Sequence, residues 1–180
     1  SLLDAFQGKK LKDSLNFEIN ISLDPAAKVY RIFHNPDHQI IASTVSNEIT
    51  FAGECKQLDP KQLKEILDRN LKYLPEYIDP MMNPGYLSGG EKELLNLVTA
   101  LDFNPDILLV DDGLSFLSDE NKVHCLTMMK DWTERSGGII IWVTSDIEDL
   151  CYGKNSLTLS LDSLSDYLLS RKIRYEEAHL

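Results

Sequence analysis

Three short stretches carry residues that can do chemistry. The run Ile107-Leu108-Leu109-Val110 ends in Asp111-Asp112, and Ile139-Ile140-Ile141-Trp142-Val143 ends in Thr144-Ser145-Asp146. Carboxylates at strand ends suit Mg²⁺, which takes oxygen ligands and keeps waters. A second carboxylate beside the first can orient a water for attack on phosphorus. The same Asp pair serves equally well as the cap of a turn or helix, and both readings stay open on these residues alone. The third stretch is Leu87-Ser88-Gly89-Gly90-Glu91. Ser88 and Glu91 have the spacing of a capping box. The two glycines leave the first helical N–H groups open to an anion.

These groups must be positioned by the elements around them. Both apolar runs read as strands covered on two faces, the mark of a parallel sheet. Glu120 to Glu134 lies between them with helical character, so helix and strand alternate as in an α/β fold. Ligands of such sheets gather at the carboxyl ends of the strands, where Asp111 and Ser145 would be neighbours. Ser88 would sit apart, at an exposed helix terminus. Upstream, Asn16–Leu23 and Lys28–Phe33 have strand character around a turn at Asp24-Pro25. His34–Gln39 reads as a loop because of Pro36, and Ile40–Phe51 has no decisive pattern. Pro60–Leu74 repeats Leu63, Ile66, Leu67, Leu71 and Leu74 at helical spacing. A connecting stretch rich in proline follows, and a second helix begins at Ser88. Met81 and Met82 read as core packing. Ser1–Phe6 reads as the continuation of a helix, Asn155–Leu161 as a further strand and Ser163–Arg171 as a last helix.

Composition narrows the function classes. Of 180 residues, 43% are hydrophobic and 26% charged, which suits a packed globular domain. The net charge of −11 argues against a protein that coats nucleic acid, since that affinity comes from clustered Lys and Arg. A nucleotide is still compatible, because backbone N–H groups and one Lys can hold a triphosphate. Cys55, Cys125 and Cys151 form no C-x-x-C pair, so no zinc site or disulfide framework is expected and a reducing cytoplasm is the simplest setting. The apolar runs are far shorter than a membrane span, and the N-terminus has no signal-peptide pattern, so a link to a membrane would pass through a partner. His34 and His38 flank Asp37, but Pro36 breaks helical spacing and no further ligands cluster with them, which favours an exposed loop over a metal site.

Order and spacing add a resemblance. Leu-Ser-Gly-Gly-Glu, a helix, Asn104-Pro105-Asp106 and then Ile107 to Asp112 resemble the signature motif and Walker B strand of ABC ATPases. Ser115-Phe116-Leu117-Ser118 stands where that family has its D-loop, and Val143-Thr144-Ser145-Asp146 where it has its switch histidine. Phe33-His34-Asn35-Pro36-Asp37-His38-Gln39-Ile40, followed by Thr44 to Phe51, resembles the Q-loop of energy-coupling-factor and cobalt-type importers. The resemblance runs from about Ser1 to Asp149.

It implies an α/β, P-loop-NTPase-like core with a central, mostly parallel sheet, an antiparallel β segment near the N-terminus and a small helical subdomain. The expected division is 1–43 and 101–162 for the core, 44–100 for the signature subdomain and 163–180 for a C-terminal helix and tail. It further implies ATP and Mg²⁺ as cofactors, with Asp111 supporting the metal. Leu87, Ser88, Gly89, Gly90 and Glu91 would touch ATP held by a partner in a homo- or heterodimer. A membrane transport component would engage the Q-loop region, placing the chain peripherally at the cytoplasmic side of the inner membrane.

The catalytic positions depart from the family. Asp112 stands for the Glu after Walker B, Ser145 for the switch His and His34 for the Q-loop Gln, with Gln39 nearby as a substitute; Ser118 stands for the D-loop Asp. No G-x-x-x-x-G-K-[ST] occurs in the sequence, and Ser1-Leu2-Leu3 resemble residues just after that loop, so truncation before or within it is expected. Small misplacements of a reacting water cost rate heavily, so weak or absent hydrolysis is expected.

Three readings compete. The first is a transporter ATP-binding subunit with impaired turnover, and the second a non-catalytic pseudo-ATPase that lends its signature to a partner. The third is a chromosome or DNA-repair ATPase of the SMC or Rad50 kind. It ranks last, because only about 50 residues without sustained heptads separate Q-loop and signature, and the charge is wrong for DNA.

Overall fold

A computed structural model of the chain describes residues 26–144 and residue 149; the side chain of residue 119 is not described. The chain divides into two units, 1–145 and 146–180, and all the described strands and helices belong to the first. The elements expected over Ser1–Phe6, Asn16–Leu23, Asn155–Leu161 and Ser163–Arg171 lie outside the described residues.

Three strands form one parallel sheet: β1 (Val29–Ile32), β2 (Ile107–Asp111) and β3 (Ile139–Val143), with β2 in the middle. Val29 pairs with Ile107 and Ile32 with Val110; across the other edge Ile107 pairs with Ile139 and Asp111 with Val143. The continuous apolar run of β2 is explained by burial of every residue from Ile107 to Val110. Covering on both faces was expected for β3 as well. Its residues are only partly buried and Ile139 is exposed, because β3 neighbours a single strand of the described sheet.

The crossover from β1 to β2 carries α1 (Val45–Cys55), α2 (Pro60–Leu71) and α3 (Gly89–Asp102). The helix α1 occupies a stretch in which sequence pattern is indecisive. Thr44 caps it, its side chain accepting the Asn47 N–H at 3.2 Å. The buried Glu48 then accepts the N–H groups of Ile41 at 3.0 Å and Ala42 at 2.7 Å, which fixes the entry into the helix. Asp59 and Gln62 form a full capping box on α2, with Pro60 in the first turn. That helix ends at Leu71, one turn short of the expected Leu74, although Leu74 is buried as its spacing implied.

The central helix is α3. Every residue from Glu93 to Ala100 is buried, since the helix lies between α1 on one side and β1 and α4 (Asp119–Ser136) on the others. Ser118 caps α4, and Gly137 ends it in the left-handed conformation, φ 70°, that glycine adopts without a Cβ penalty. One hydrophobic core joins Ile32, Leu108 and Val110 of the sheet to Val45 and Ile49 of α1, Ile66 of α2, Leu94, Leu95 and Leu97 of α3 and Met128 and Trp132 of α4. Burying each such side chain contributes roughly 1.5–3 kcal/mol. Met82 packs against this core as expected, but Met81 is 70% exposed: its N–H is tied to the Asp79 carboxylate in a turn that points it outward.

Candidate functional site

At the carboxyl end of β2 the chain turns sharply. Asp112 has φ 52°, a left-handed conformation that Asp tolerates better than most residues. Its N–H donates to the Val143 carbonyl at 2.8 Å, which extends the β2–β3 ladder by one bond. His34, just past β1, lies over this turn. Its Nδ1 is 3.5 Å from an Asp112 carboxylate oxygen and 3.3 Å from the Asp112 carbonyl. Two positions assigned to catalysis are thus brought together.

Asp111 has a different partner. Arg31 is opposite Leu109 in the β1–β2 register, and Asp111 is two residues further along the same face. The Arg31 guanidinium forms a charge-assisted hydrogen bond with the Asp111 carboxylate. The Arg31 side chain is 8% exposed, and it also lies 5.0 Å from the Phe33 ring. The expected magnesium ligand therefore carries a buried counter-ion. Among the described residues no group of three or more His, Cys, Asp or Glu side chains is placed to hold a metal. With a guanidinium bonded to its carboxylate, Asp111 does not fit a Mg²⁺ ligand.

Gln39, expected as a substitute for a Q-loop glutamine, has its amide held by backbone. Its Oε1 accepts the Phe33 N–H at 2.8 Å and its Nε2 donates to the Arg31 carbonyl at 2.7 Å, so both ends of the amide fasten the loop to β1. The loop contains a single 3₁₀ turn, Pro36–His38, with Asn35 as its cap. His34, Asp37 and His38 are exposed, in keeping with the loop reading.

Ser88 caps α3 as its spacing implies. Glu91 accepts the Ser88 N–H at 2.6 Å, and Ser88 Oγ accepts the Glu91 N–H at 3.4 Å. The Tyr77 hydroxyl also donates to Glu91. Partial burial alone would raise the Glu91 pKa, but the hydrogen bonds from Tyr77 and Ser88 outweigh it and lower it. Leu87 is buried and anchors the turn; Ser88 and Gly89 are exposed. The turn is less isolated than expected. A Cβ on Gly89 would come within 3.3 Å of the Phe116 ring, and one on Gly90 within 2.8 Å of the Phe116 carbonyl oxygen. The signature turn therefore packs directly on the segment after β2.

Glu93, 1% exposed, makes the join. One carboxylate oxygen accepts the Phe116 N–H at 3.0 Å. Burial pushes its pKa up to about 7, against the lowering effect of the Phe116 and Ser115 N–H groups. The other end of the turn is held by an ion pair of Lys92 with Asp37 at 2.7 Å, and Asn96 donates to the Pro36 carbonyl at 3.0 Å. A cavity of about 310 Å³ opens here, lined by His34, Asp37, Gly89, Lys92 and Phe116. A cavity of about 330 Å³ between α2, α3 and α4 is lined by none of these groups, and its Arg69 and Asn70 both donate to the Asp102 carboxylate.

No family model matches the chain. It is 30% identical over 138 residues to the energy-coupling factor transporter ATP-binding protein EcfA1 of Mycoplasmopsis pulmonis, covering 77% of this chain and 52% of that protein. To the protein of the same name from Streptococcus agalactiae it is 25% identical over 149 residues, 83% of this chain and 53% of the relative. A putative ABC transporter ATP-binding protein of Methanocaldococcus jannaschii is 27% identical over 171 residues, 95% of this chain and 57% of the relative. The chain thus spans about half the length of these relatives. Among solved structures it is similar to a dimeric ATP-binding cassette in a post-hydrolysis state with ADP and Pi, at a TM-score of 0.62 and 22% identity, over 71% of this chain and 56% of that one.

The fold is that of an ABC ATPase.

The cbiO1 protein of Clostridium perfringens, described as part of the ABC transporter complex cbiONQ, has the same fold at a TM-score of 0.59 and 21% identity, over 69% of this chain and 50% of its own. Within this ABC-ATPase fold the signature turn, the Q-loop segment and the Walker B strand end are all described, whereas Ser145 lies outside the described residues. Arg31, Glu93, Tyr77 and Lys92 were not singled out from the sequence. For Arg31 there was a signal: a lone cation within the strand Val29-Tyr30-Arg31-Ile32. Such a group, if buried, must find a carboxylate.

Proposed function

We propose that the chain is an ATP-binding subunit of an ABC-type importer. In this reading its Ser88–Gly90 turn completes a nucleotide site held mainly by a partner subunit, and its own turnover is impaired. The observation that carries the proposal is the exposed, fully capped start of α3, with Gly89 bare of side chain and Leu87 buried beneath it. A helix start of this kind presents N–H groups and a positive dipole end to an anion. The likeness to energy-coupling factor ATP-binding proteins supports ATP as the ligand and an importer as the setting.

Impaired turnover is supported by the strand end. The carboxylate of Asp111 is bonded to Arg31, both ends of the Gln39 amide are held by backbone, and His34 lies 3.5 Å from the Asp112 carboxylate. Arg31 thus occupies the carboxylate that would hold a metal. A membrane transport component would dock beside the Q-loop, where Ile41 and Met81 are 65% and 70% exposed. No helix among the described residues is long and apolar enough to cross a membrane, so such docking would hold the chain at the cytoplasmic surface of the inner membrane.

The engaged Asp111 carboxylate equally favours a non-catalytic pseudo-ATPase, and one assay serves both readings. Ser88→Arg places a cation and bulk at the turn, and should abolish ATP hydrolysis by the subunit that copurifies with this chain. Unchanged hydrolysis would rule out a signature role. Copurification of a membrane component would then separate a transporter subunit from a soluble pseudo-ATPase.

A further inference from the structure

We infer that Asp111 is the structural counter-ion of Arg31 and not a metal ligand, so that this strand end works without a divalent cation, the guanidinium standing where positive charge would otherwise be supplied by the metal. The inference rests on the proposed reading only for the expectation that Asp111 binds Mg²⁺.

Three observations carry it. The Arg31 guanidinium is hydrogen-bonded to Asp111, with the two side chains 8% and 21% exposed. Arg31 cannot yield its position by losing a proton, since a guanidinium stays charged at any pH the fold survives. Its other face lies 5.0 Å from the Phe33 ring, and the backbone of its own strand is clamped by Gln39, whose Nε2 donates to the Arg31 carbonyl at 2.7 Å. The cation is thus built in by packing on several sides.

Electrostatics decide the rest. A divalent ion on Asp111 would lie within about 5 Å of the guanidinium, where repulsion at a protein-like dielectric weakens binding on the order of a thousandfold or more. Mg²⁺ also requires near-octahedral space for several retained waters, which a bonded guanidinium at the same carboxylate denies. His34 Nδ1 lies 3.5 Å from Asp112, the other carboxylate at the turn.

The test uses the full chain alone, with Mn²⁺ as the probe followed by electron paramagnetic resonance, and thermal unfolding in EDTA. Failure of the partner assay would leave this result standing, and the reverse also holds. Wild type should bind no Mn²⁺ at stoichiometric concentration. Asp111→Asn should lower Tm by about 8 °C or prevent folding, because it removes the carboxylate bonded to a buried guanidinium. Arg31→Met with Asp111→Asn should regain most of that loss. One equivalent of Mn²⁺ bound by wild type and lost in Asp111→Asn would overturn the inference. So would an Asp111→Asn protein as stable as wild type, or a double variant no more stable than the single one.

Discussion

The carboxylate of Glu93, in the second turn of the signature helix, accepts the backbone N–H of Phe116 at 3.0 Å and so ties that helix to the segment following the Walker B strand. Any movement of the signature turn must carry this segment with it or break a buried hydrogen bond.

That bond has a pH signature. The Glu93 pKa is raised from 4.5 to about 7 by burial, so between these values the folded chain holds a proton that the unfolded chain has released. Its contribution to stability is therefore full below pH 4.5, declines as pH rises, and is lost above about 7. At pH 8 the charged form costs roughly 3 kcal/mol. Glu93→Gln should then be more stable than wild type at pH 8 and lose this advantage by pH 4.5. Thermal unfolding of both proteins across that range checks it; parallel Tm profiles would show that the carboxyl titrates normally.

Asp112 occupies left-handed backbone at φ 52°. Asn shares the tolerance of Asp for this region, whereas a longer side chain does not. Asp112→Asn should change stability by less than about 0.5 kcal/mol, and Asp112→Glu should cost about 1 kcal/mol. A glutamate at this position thus meets a backbone penalty as well as the neighbouring His34. Denaturant unfolding distinguishes the two variants, and equal midpoints would remove the backbone argument.

The two glycines of the signature turn should respond differently. A Cβ at position 90 meets the Phe116 carbonyl oxygen at 2.8 Å, and backbone cannot easily withdraw. At position 89 the nearest atoms are Cγ and Cβ of Phe116 at 3.3 and 3.4 Å, in a side chain that is 55% exposed and can give by a few tenths of an ångström. Gly90→Ala should cost roughly 1–3 kcal/mol and Gly89→Ala close to nothing. Comparable losses for both would mean that Phe116 is held as rigidly as the backbone.

Cysteine reactivity reports on the core. Cys125 is fully buried, and burial together with the negative charge of Glu93 pushes its pKa up to about 12. Cys55 is exposed. In a Cys151→Ser background, a thiol reagent at pH 8 should modify one cysteine quickly and the second only on unfolding, because the thiolate is the reactive species. Rapid modification of two thiols in the native protein would show that α4 opens readily.

The sequence alone determined what depends on near neighbours along the chain. The strand Ile107–Asp111 was legible because a continuous apolar run is what a doubly covered strand needs, and α3 because its capping box closes within four residues. The order of motifs carried the fold, since an ABC ATPase keeps its elements in sequence. Tertiary structure decided what depends on distant residues. The helix α1 has no clean periodicity of its own, and its start is fixed from a distance, the Val45 and Ser46 N–H groups donating to the Met82 and Pro80 carbonyls at 3.1 and 2.8 Å. Met81 reads as core until its turn points it outward. Above all, the fate of Asp111 depends on a strand 80 positions away. A carboxylate at a strand end is a metal ligand or a counter-ion according to what lies opposite, and only the register of β1 on β2 places Arg31 there, on the same face.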